Sequence, residues 1–258
     1  MADLAGPSRD SAGRRKIAVM ESLAGKFAIV TGGTRGIGRA IGERLLEEGA
    51  GVALCARSSD AVERAVEELR PRGRVFGAAA DVTHPAAVRR FFESVDEAFG
   101  ALDILVNNAG AAHFSKVGEM LEEDWHRHID LNLSGPFHCS REALPRMIRR
   151  GGGSIVNISS LAAKNAFSGG AAYNAAKAGL NAFTEALMLD HRHDRIRVTT
   201  IMPGSVDTGF GGDREKRSGD TSWMIAPEDV AEIVAMVLRM PGRTMVSSVE
   251  VRPSRPRK

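Results

Sequence analysis

From Lys26 onward, short apolar runs alternate with longer amphipathic segments. The runs FAIV (27–30), VALC (52–55), VFGAA (75–79), DILVN (103–107), SIVNI (154–158), RVTTI (197–201) and SSVEV (247–251) have the length and character of strands. Between them, helical periodicity runs over 37–48, 60–69, 84–99, 122–149, 171–191 and 227–239. Turn-forming residues punctuate the breaks at Gly49–Gly51, Pro71–Gly73 and Gly151–Gly153. Strictly alternating strands and helices predict an α/β fold, a doubly wound parallel sheet of about seven strands with helices on both faces. No repeat or linker divides residues 25–251, so one domain is expected. Residues 209–223, GFGGDREKRSGDTSW, break the alternation, and this Gly-rich, charged segment is expected to be a substrate lid.

Composition narrows the class. The chain has 258 residues, 43% of them hydrophobic and 26% charged, as in a soluble globular protein. No apolar run approaches the roughly 20 residues that span a bilayer. The first residues, MADLAGPSRDSAGRRK, lack an apolar leader, so a cytoplasmic location and no membrane partner are expected. Cys55 and Cys139 stand far apart in apolar stretches and read as buried free thiols. The net charge of +3 is unevenly placed: residues 1–16 carry +2 and residues 252–258 carry +4, which leaves −3 on the remainder. The excess positive charge therefore belongs to a flexible N-terminal extension (1–24) and a basic C-terminal tail (252–258). A basic face for nucleic acid is not indicated.

Candidate chemistry begins after the first strand, where TGGTRGIG (31–38) opens a helix. Gly32, Gly36 and Gly38 allow a sharp turn that brings backbone N–H groups against a diphosphate at the helix N-terminus. The spacing is not that of a P-loop, because no GK[ST] follows.

A second candidate lies in SGGAAYNAAKAGL (168–180), which holds Tyr173, the sole tyrosine of the chain, four residues before Lys177. Residues four apart share one face of a helix. An ammonium beside a phenol favours the phenolate, so Tyr173 is expected to titrate below its usual value near 10 and to exchange protons with a substrate oxygen. His191 and His193 close the same helix, and interaction with its C-terminus is a simpler account of them than a metal site. No metal is expected.

These motifs, with others in order, resemble the short-chain dehydrogenase/reductase family over about residues 25–251. The resemblance implies a Rossmann-type fold and a nicotinamide cofactor. It implies that Asn132, Ser160, Tyr173 and Lys177 are catalytic, with Ser160 thirteen residues before Tyr173. Lys177 would also hold the nicotinamide ribose, and Asn132 would anchor a water connecting Lys177 to solvent. Cofactor contacts are implied for Gly32, Thr34, Arg35, Gly36, Ile37 and Gly38 in the turn, and for Asp81 and Val82 at the adenine. Asn108, Ala109 and Gly110 of the NNAG stretch would border the ribose. Pro203, Gly204, Val206 and Thr208 would hold the carboxamide.

The second strand selects between cofactors. NAD-preferring enzymes of this type place a carboxylate at its end, where it accepts hydrogen bonds from the ribose hydroxyls. Here Ala56, Arg57 and Ser58 occupy those positions, and Asp60 is expected to cap the next helix. Arg35 and Arg57 could instead grip a 2′-phosphate, so NADP (NADPH) is the expected cofactor. The expected reaction is hydride transfer between nicotinamide and a carbonyl or secondary alcohol. A 3-oxoacyl reductase-like activity leads; dehydrogenation of a polyol, steroid or other small alcohol, or a non-catalytic cofactor-binding regulator, are the alternatives. His113, Phe114, Asn165 and Phe167 should shape the pocket without naming a molecule. Relatives commonly end in Asp-Gly-Gly, whereas this chain ends in VRPSRPRK. The long helices 122–149 and 171–191 offer a surface for a homodimer or homotetramer.

Overall fold

A computed structural model describes residues 20–210 and 220–256. Seven strands form one sheet: β1 (Phe27–Thr31), β2 (Gly51–Ala56), β3 (Val75–Ala79), β4 (Ile104–Asn107), β5 (Gly153–Ile158), β6 (Ile196–Pro203) and β7 (Ser248–Val251). Their order is β3-β2-β1-β4-β5-β6-β7, and every pairing is parallel. The order reverses between β1 and β4, which opens a crevice at the C-terminal strand ends.

Alternation along β1 shows why helices cover both faces. Ala28 and Val30 join a core layer with Ile41 and Leu45 of α1 (Gly36–Glu47) and Val230 and Val234 of α7 (Pro227–Leu238). Ile29, between them, joins the opposite layer with Phe92 of α3 (Pro85–Phe99) and Met147 of α5 (Gly135–Arg150). Helices α2 (Ser59–Leu69), α4 (Glu122–Ile129) and α6 (Ala171–His191) complete the α/β fold. None of the described helices is long and apolar enough to cross a membrane. Cys55 and Cys139 are buried and free.

Three expectations change. The helical pattern over 122–149 is two helices joined by a π-helical turn at Asp130–Ser134. Pro136 has no N–H to offer the Asn132 carbonyl one turn back, so regular α-helical bonding cannot continue through this point. The widened turn carries Asn132 into the interior. Residues 20–24, expected within a flexible extension, are held in place. Leu23 is buried in the core, and the Glu21 N–H donates to the Arg239 carbonyl at 2.7 Å. The remainder of that extension, residues 1–19, lies outside the described residues. The tail is likewise not free of the body, because Pro253 packs against Gly204, where an added Cβ would lie 3.2 Å from its Cδ.

A buried polar chain fixes α6 to the sheet. Asn107 of β4 faces Asn157 of β5 in register, and its Nδ2 donates to Asn157 Oδ1 at 2.8 Å and to Ser140 Oγ at 3.2 Å. Asn157 Nδ2 donates to Thr184 Oγ1 at 2.8 Å, and that hydroxyl donates to the Leu180 carbonyl at 2.6 Å. Buried chains of hydrogen bonds of this kind orient the elements they join, although Asn107 Oδ1 is left without a protein partner. Asn157→Ala removes the central link, so stability should fall by about 1–3 kcal/mol. Denaturant unfolding measures this, and a loss below about 0.5 kcal/mol would show the chain to be energetically idle.

Candidate active site

A cleft of about 1360 Å³ runs along the C-terminal ends of the strands. At one end stands the glycine turn. Gly32 has φ +64°, in the left-handed region that favours glycine, and its Cα faces the Ala109 backbone, 3.0 Å from where a Cβ would sit. A Cβ on Gly38 would collide with the Gly32 carbonyl and Asn108 Nδ2. Gly38 therefore lies beneath the turn, while Gly32, Thr34, Arg35, Gly36 and Ile37 line the cleft.

The NNAG stretch braces this turn. Thr31 Oγ1 accepts from the Asn108 and Ala109 N–H groups, each at 3.0 Å. Asn108 Nδ2 donates to the Thr31 carbonyl at 3.0 Å and to the Gly32 carbonyl at 3.2 Å. Helix α1 starts with no side-chain cap and no acidic residue in its first turn. Its N–H groups and dipole thus suit an anion in the cleft.

Arg57, Ser58, Asp81 and Val82 line the same end. Burial alone would raise the Asp81 carboxyl. Hydrogen bonds from the Thr83 N–H and hydroxyl, with His84 and Arg57 nearby, hold it below its ordinary value. Ser58 also has a second role: its Oγ accepts from the Ala61 N–H at 3.3 Å and caps α2. Asp60 is therefore not the cap but a first-turn residue, since α2 begins at Ser59, two positions before the start that a cap at Asp60 requires.

At the other end, α6 presents Tyr173 and Lys177 on one face. Both are buried and both line the cleft. Lys177 Nζ donates to the Ile158 carbonyl at 2.9 Å and lies 5.8 Å from the Tyr173 ring centroid. Burial lowers the Lys177 ammonium to about 8.

Tyr173 departs from expectation. Burial of the phenol pushes its pKa above the ordinary value, and a hydrogen bond with Ser160 opposes this only in part. The lysine does not reverse the shift because it is itself desolvated and committed to a backbone carbonyl. Ser160 Oγ accepts from the Ala162 N–H at 3.1 Å, which leaves its proton available for the cleft. Ser159 turns the other way, its Oγ donating to the Lys177 carbonyl at 3.4 Å.

Asn132 stands behind the cleft wall. Its Nδ2 donates to the carbonyls of Ala111 at 3.0 Å and His128 at 3.1 Å. Its Oδ1 is buried without a protein partner, and a Cβ on Gly110 would sit 2.9 Å from it and 3.8 Å from Lys177 Nζ. A buried acceptor of this kind asks for a donor that the chain does not supply. Pro203, at the end of β6, and Gly204, Val206 and Thr208 just past it line the wall. His113 and His128, by contrast, hold a loop: the His113 N–H donates to His128 Nε2 at 2.9 Å. His191 is the basic residue in the last turn of α6, where its Nδ1 also bonds Asp194 at 2.9 Å, and His193 lies in the short turn that follows. Among the described residues no cluster of three or more metal-ligating side chains occurs.

Sequence reasoning missed part of the lining. Leu161, Ala162 and Met224 complete the apolar walls, and Arg252, Pro253 and Pro256 bring the C-terminal tail to the cleft. Pro-rich tail composition gave no signal for this, because the contact is tertiary. Of the expected lid, Phe210, Asp220, Thr221 and Trp223 line the cleft, and residues 211–219 lie outside the described residues.

A crevice at the strand-order reversal, a glycine turn against a helix N-terminus and a buried Tyr–Lys pair define a Rossmann-type oxidoreductase. The chain belongs to the short-chain dehydrogenase family, whose profile matches residues 26–219. An uncharacterized oxidoreductase of Staphylococcus saprophyticus is 34% identical over 240 residues, covering 91% of this chain and all of that protein. An alcohol dehydrogenase of the archaeon Thermococcus sibiricus, complexed with 5-hydroxy-NADP, superposes with a TM-score of 0.83 at 31% identity, covering 90% of this chain and 99% of that one. A metagenomic short-chain oxidoreductase in complex with NADP gives 0.80 at 35% identity, covering 92% of this chain and all of that one.

The depressed lysine has a consequence for stability. Unfolded Lys177 titrates near 10.5 and the folded residue near 8, so between those values the unfolded chain binds a proton that the folded chain does not. Stability contributed by this residue therefore rises with pH across that window, by at most about 3 kcal/mol. Below pH 8 the penalty is present in full. Lys177→Met should flatten the rise, as read from denaturant unfolding across the window. Parallel curves for the two proteins would contradict the burial argument.

Proposed function

We propose that the protein is an NADP(H)-dependent oxidoreductase that interconverts a carbonyl and a secondary alcohol, with Asn132, Ser160, Tyr173 and Lys177 as its catalytic residues. The observation that carries this reading is that Ser160, Tyr173 and buried Lys177 line the same cleft as the glycine turn, with Lys177 Nζ 5.8 Å from the Tyr173 ring centroid. The bound nicotinamide would supply or accept the hydride. Gly32 through Gly38 would receive the diphosphate, Asp81 and Val82 the adenine, and Asn108, Ala109 and Gly110 the adjacent ribose. Lys177 would hold the nicotinamide ribose, and Pro203, Gly204, Val206 and Thr208 its carboxamide.

Proton handling follows from burial. The raised phenol stays protonated through neutral pH, so Tyr173 is poised to donate to a carbonyl oxygen. The Ser160 hydroxyl donates to the same oxygen and stabilises the negative charge that develops there. Lys177, titrating near 8, can restore the proton, and the open Oδ1 of Asn132 would fix a water that connects the lysine to solvent. Leu161, Met224 and Pro253 give the substrate half apolar walls. Such walls favour carbonyl compounds with apolar substituents, the 3-oxoacyl class among them, over polyols. Tyr173→Phe keeps the ring and removes the donor, so turnover should fall about a thousandfold with NADPH still bound. Near-normal reduction by that variant would refute the mechanism.

The cofactor choice rests on Arg35 and Arg57. Both line the cleft, and no carboxylate follows β2 until Asp60. A planar guanidinium suits a 2′-phosphate, and a carboxylate in its place would repel one. NADPH should therefore be preferred, and Arg57→Asp should lower kcat/KM for NADPH by about tenfold or more relative to NADH. Paired specificity constants decide it, and a wild-type preference for NADH would overturn the assignment.

A further inference from the structure

Two phenylalanines meet the hydroxyl-bearing ring of Tyr173, and a third packs against one of them. Phe114 meets Tyr173 edge-on, with centroids 6.0 Å apart, and Phe167 meets Phe114 at 5.3 Å. Phe210 lies 5.9 Å from Tyr173. All three line the cleft, and they are 45%, 44% and 37% exposed. None belongs to either core layer of the sheet, so folding does not account for them. Exposed aromatic surface gathered at one place in a cleft marks a binding surface.

The rim is also held rigidly. The loop carrying Phe114 is fixed on both sides: the His113 N–H donates to His128 Nε2 at 2.9 Å, and the Ser115 N–H donates to the Gly169 carbonyl at 3.1 Å. His128 itself is buried, with its Nδ1 2.6 Å from the Asp124 carbonyl. Phe167 is drawn back onto the start of α6, since the Gly170 N–H donates to its carbonyl at 3.0 Å and a Cβ on Gly170 would lie 2.7 Å from its ring. A pair of rings fixed by backbone bonds presents its faces and edges without a further ordering cost on binding. Among the described residues that line the cleft near the rim, the charged side chains are Lys177, Asp220 and Arg252, and Glu250 holds Arg252 at 2.8 Å.

We infer that Phe114, Phe167 and Phe210 form a specificity rim that receives an aryl or similarly bulky apolar group attached directly to the reacting carbonyl. This rests on the oxidoreductase reading above and narrows its substrate class. Tyr173 fixes where the carbonyl oxygen must sit, and the rings that touch Tyr173 then border the carbonyl's substituent. Aromatic rings favour edge-to-face and offset packing at such centroid separations, which an aryl group satisfies and a short alkyl group does not.

The test compares acetophenone with butanone at saturating NADPH. Wild-type kcat/KM should favour acetophenone by about tenfold or more, mainly through KM. Phe114→Ala and Phe167→Ala should each bring the two ketones within about twofold of one another, whereas Phe114→Tyr, which keeps the ring, should retain the preference. Because the rim lies outside the core, thermal melting should confirm that the alanine variants remain folded. Calorimetric titration of both ketones into the NADPH-loaded Tyr173→Phe variant reads the same preference without turnover. Turnover of both ketones with butanone equal or better would overturn the rim, as would alanine variants that keep the wild-type preference. Tighter acetophenone binding in a protein that reduces neither ketone would uphold the rim and overturn the reaction.

Discussion

The burial of one ammonium governs the layout of the site. Lys177 sits almost wholly out of water with the Ile158 carbonyl as its hydrogen-bond partner, at a cost shown by its depressed pKa. A folded chain tolerates such a group only if the surroundings hold it firmly. Helix α6 is accordingly tied to the sheet by the Asn107–Asn157–Thr184 chain, and Ser159 bonds the lysine's own carbonyl. The π-helical turn sets Asn132 Oδ1 on the far side of Gly110, which must lack a side chain for lysine and asparagine to approach the same space. Fold, turn and glycine thus serve the position of a single charge.

The opposite end of the cleft is braced by two short side chains, Thr31 and Asn108, bonded to the backbone of the turn. Glycines at 32 and 38 let the chain pass so close to itself that Asn108 bonds the turn directly. Rigidity there depends on Thr31 Oγ1, which accepts from two N–H groups, and on Asn108 Nδ2, which donates to two carbonyls. Relatives near one-third identity share the fold at TM-scores of 0.80 and above.

Much of this was legible in the sequence because local patterns encode it. Seven apolar runs became seven strands with ends shifted by a residue or two, and the Tyr–Lys spacing placed both side chains on one face. What escaped depends on environment. The break in 122–149 follows from a missing N–H at Pro136, a local fact obscured by the continuous amphipathic period around it. The sign of the Tyr173 shift was misjudged because spacing reveals a neighbouring ammonium but not the water removed from both groups. Ser58 rather than Asp60 caps α2 because the helix begins two residues earlier than a cap at Asp60 requires. The aromatic rim was present as separate letters, Phe114, Phe167 and Phe210, and only the fold gathers them.

The path of the tail bears on how the protein can be handled. Past β7, Arg252, Pro253 and Pro256 run along the cleft wall, and Pro253 is wedged beside Gly204. An affinity tag or fluorescent partner fused after Lys258 would therefore be tethered two residues from the mouth of the cleft. Bulk placed there competes with whatever enters, so a fusion at this end would alter access to the cleft as well as label the protein.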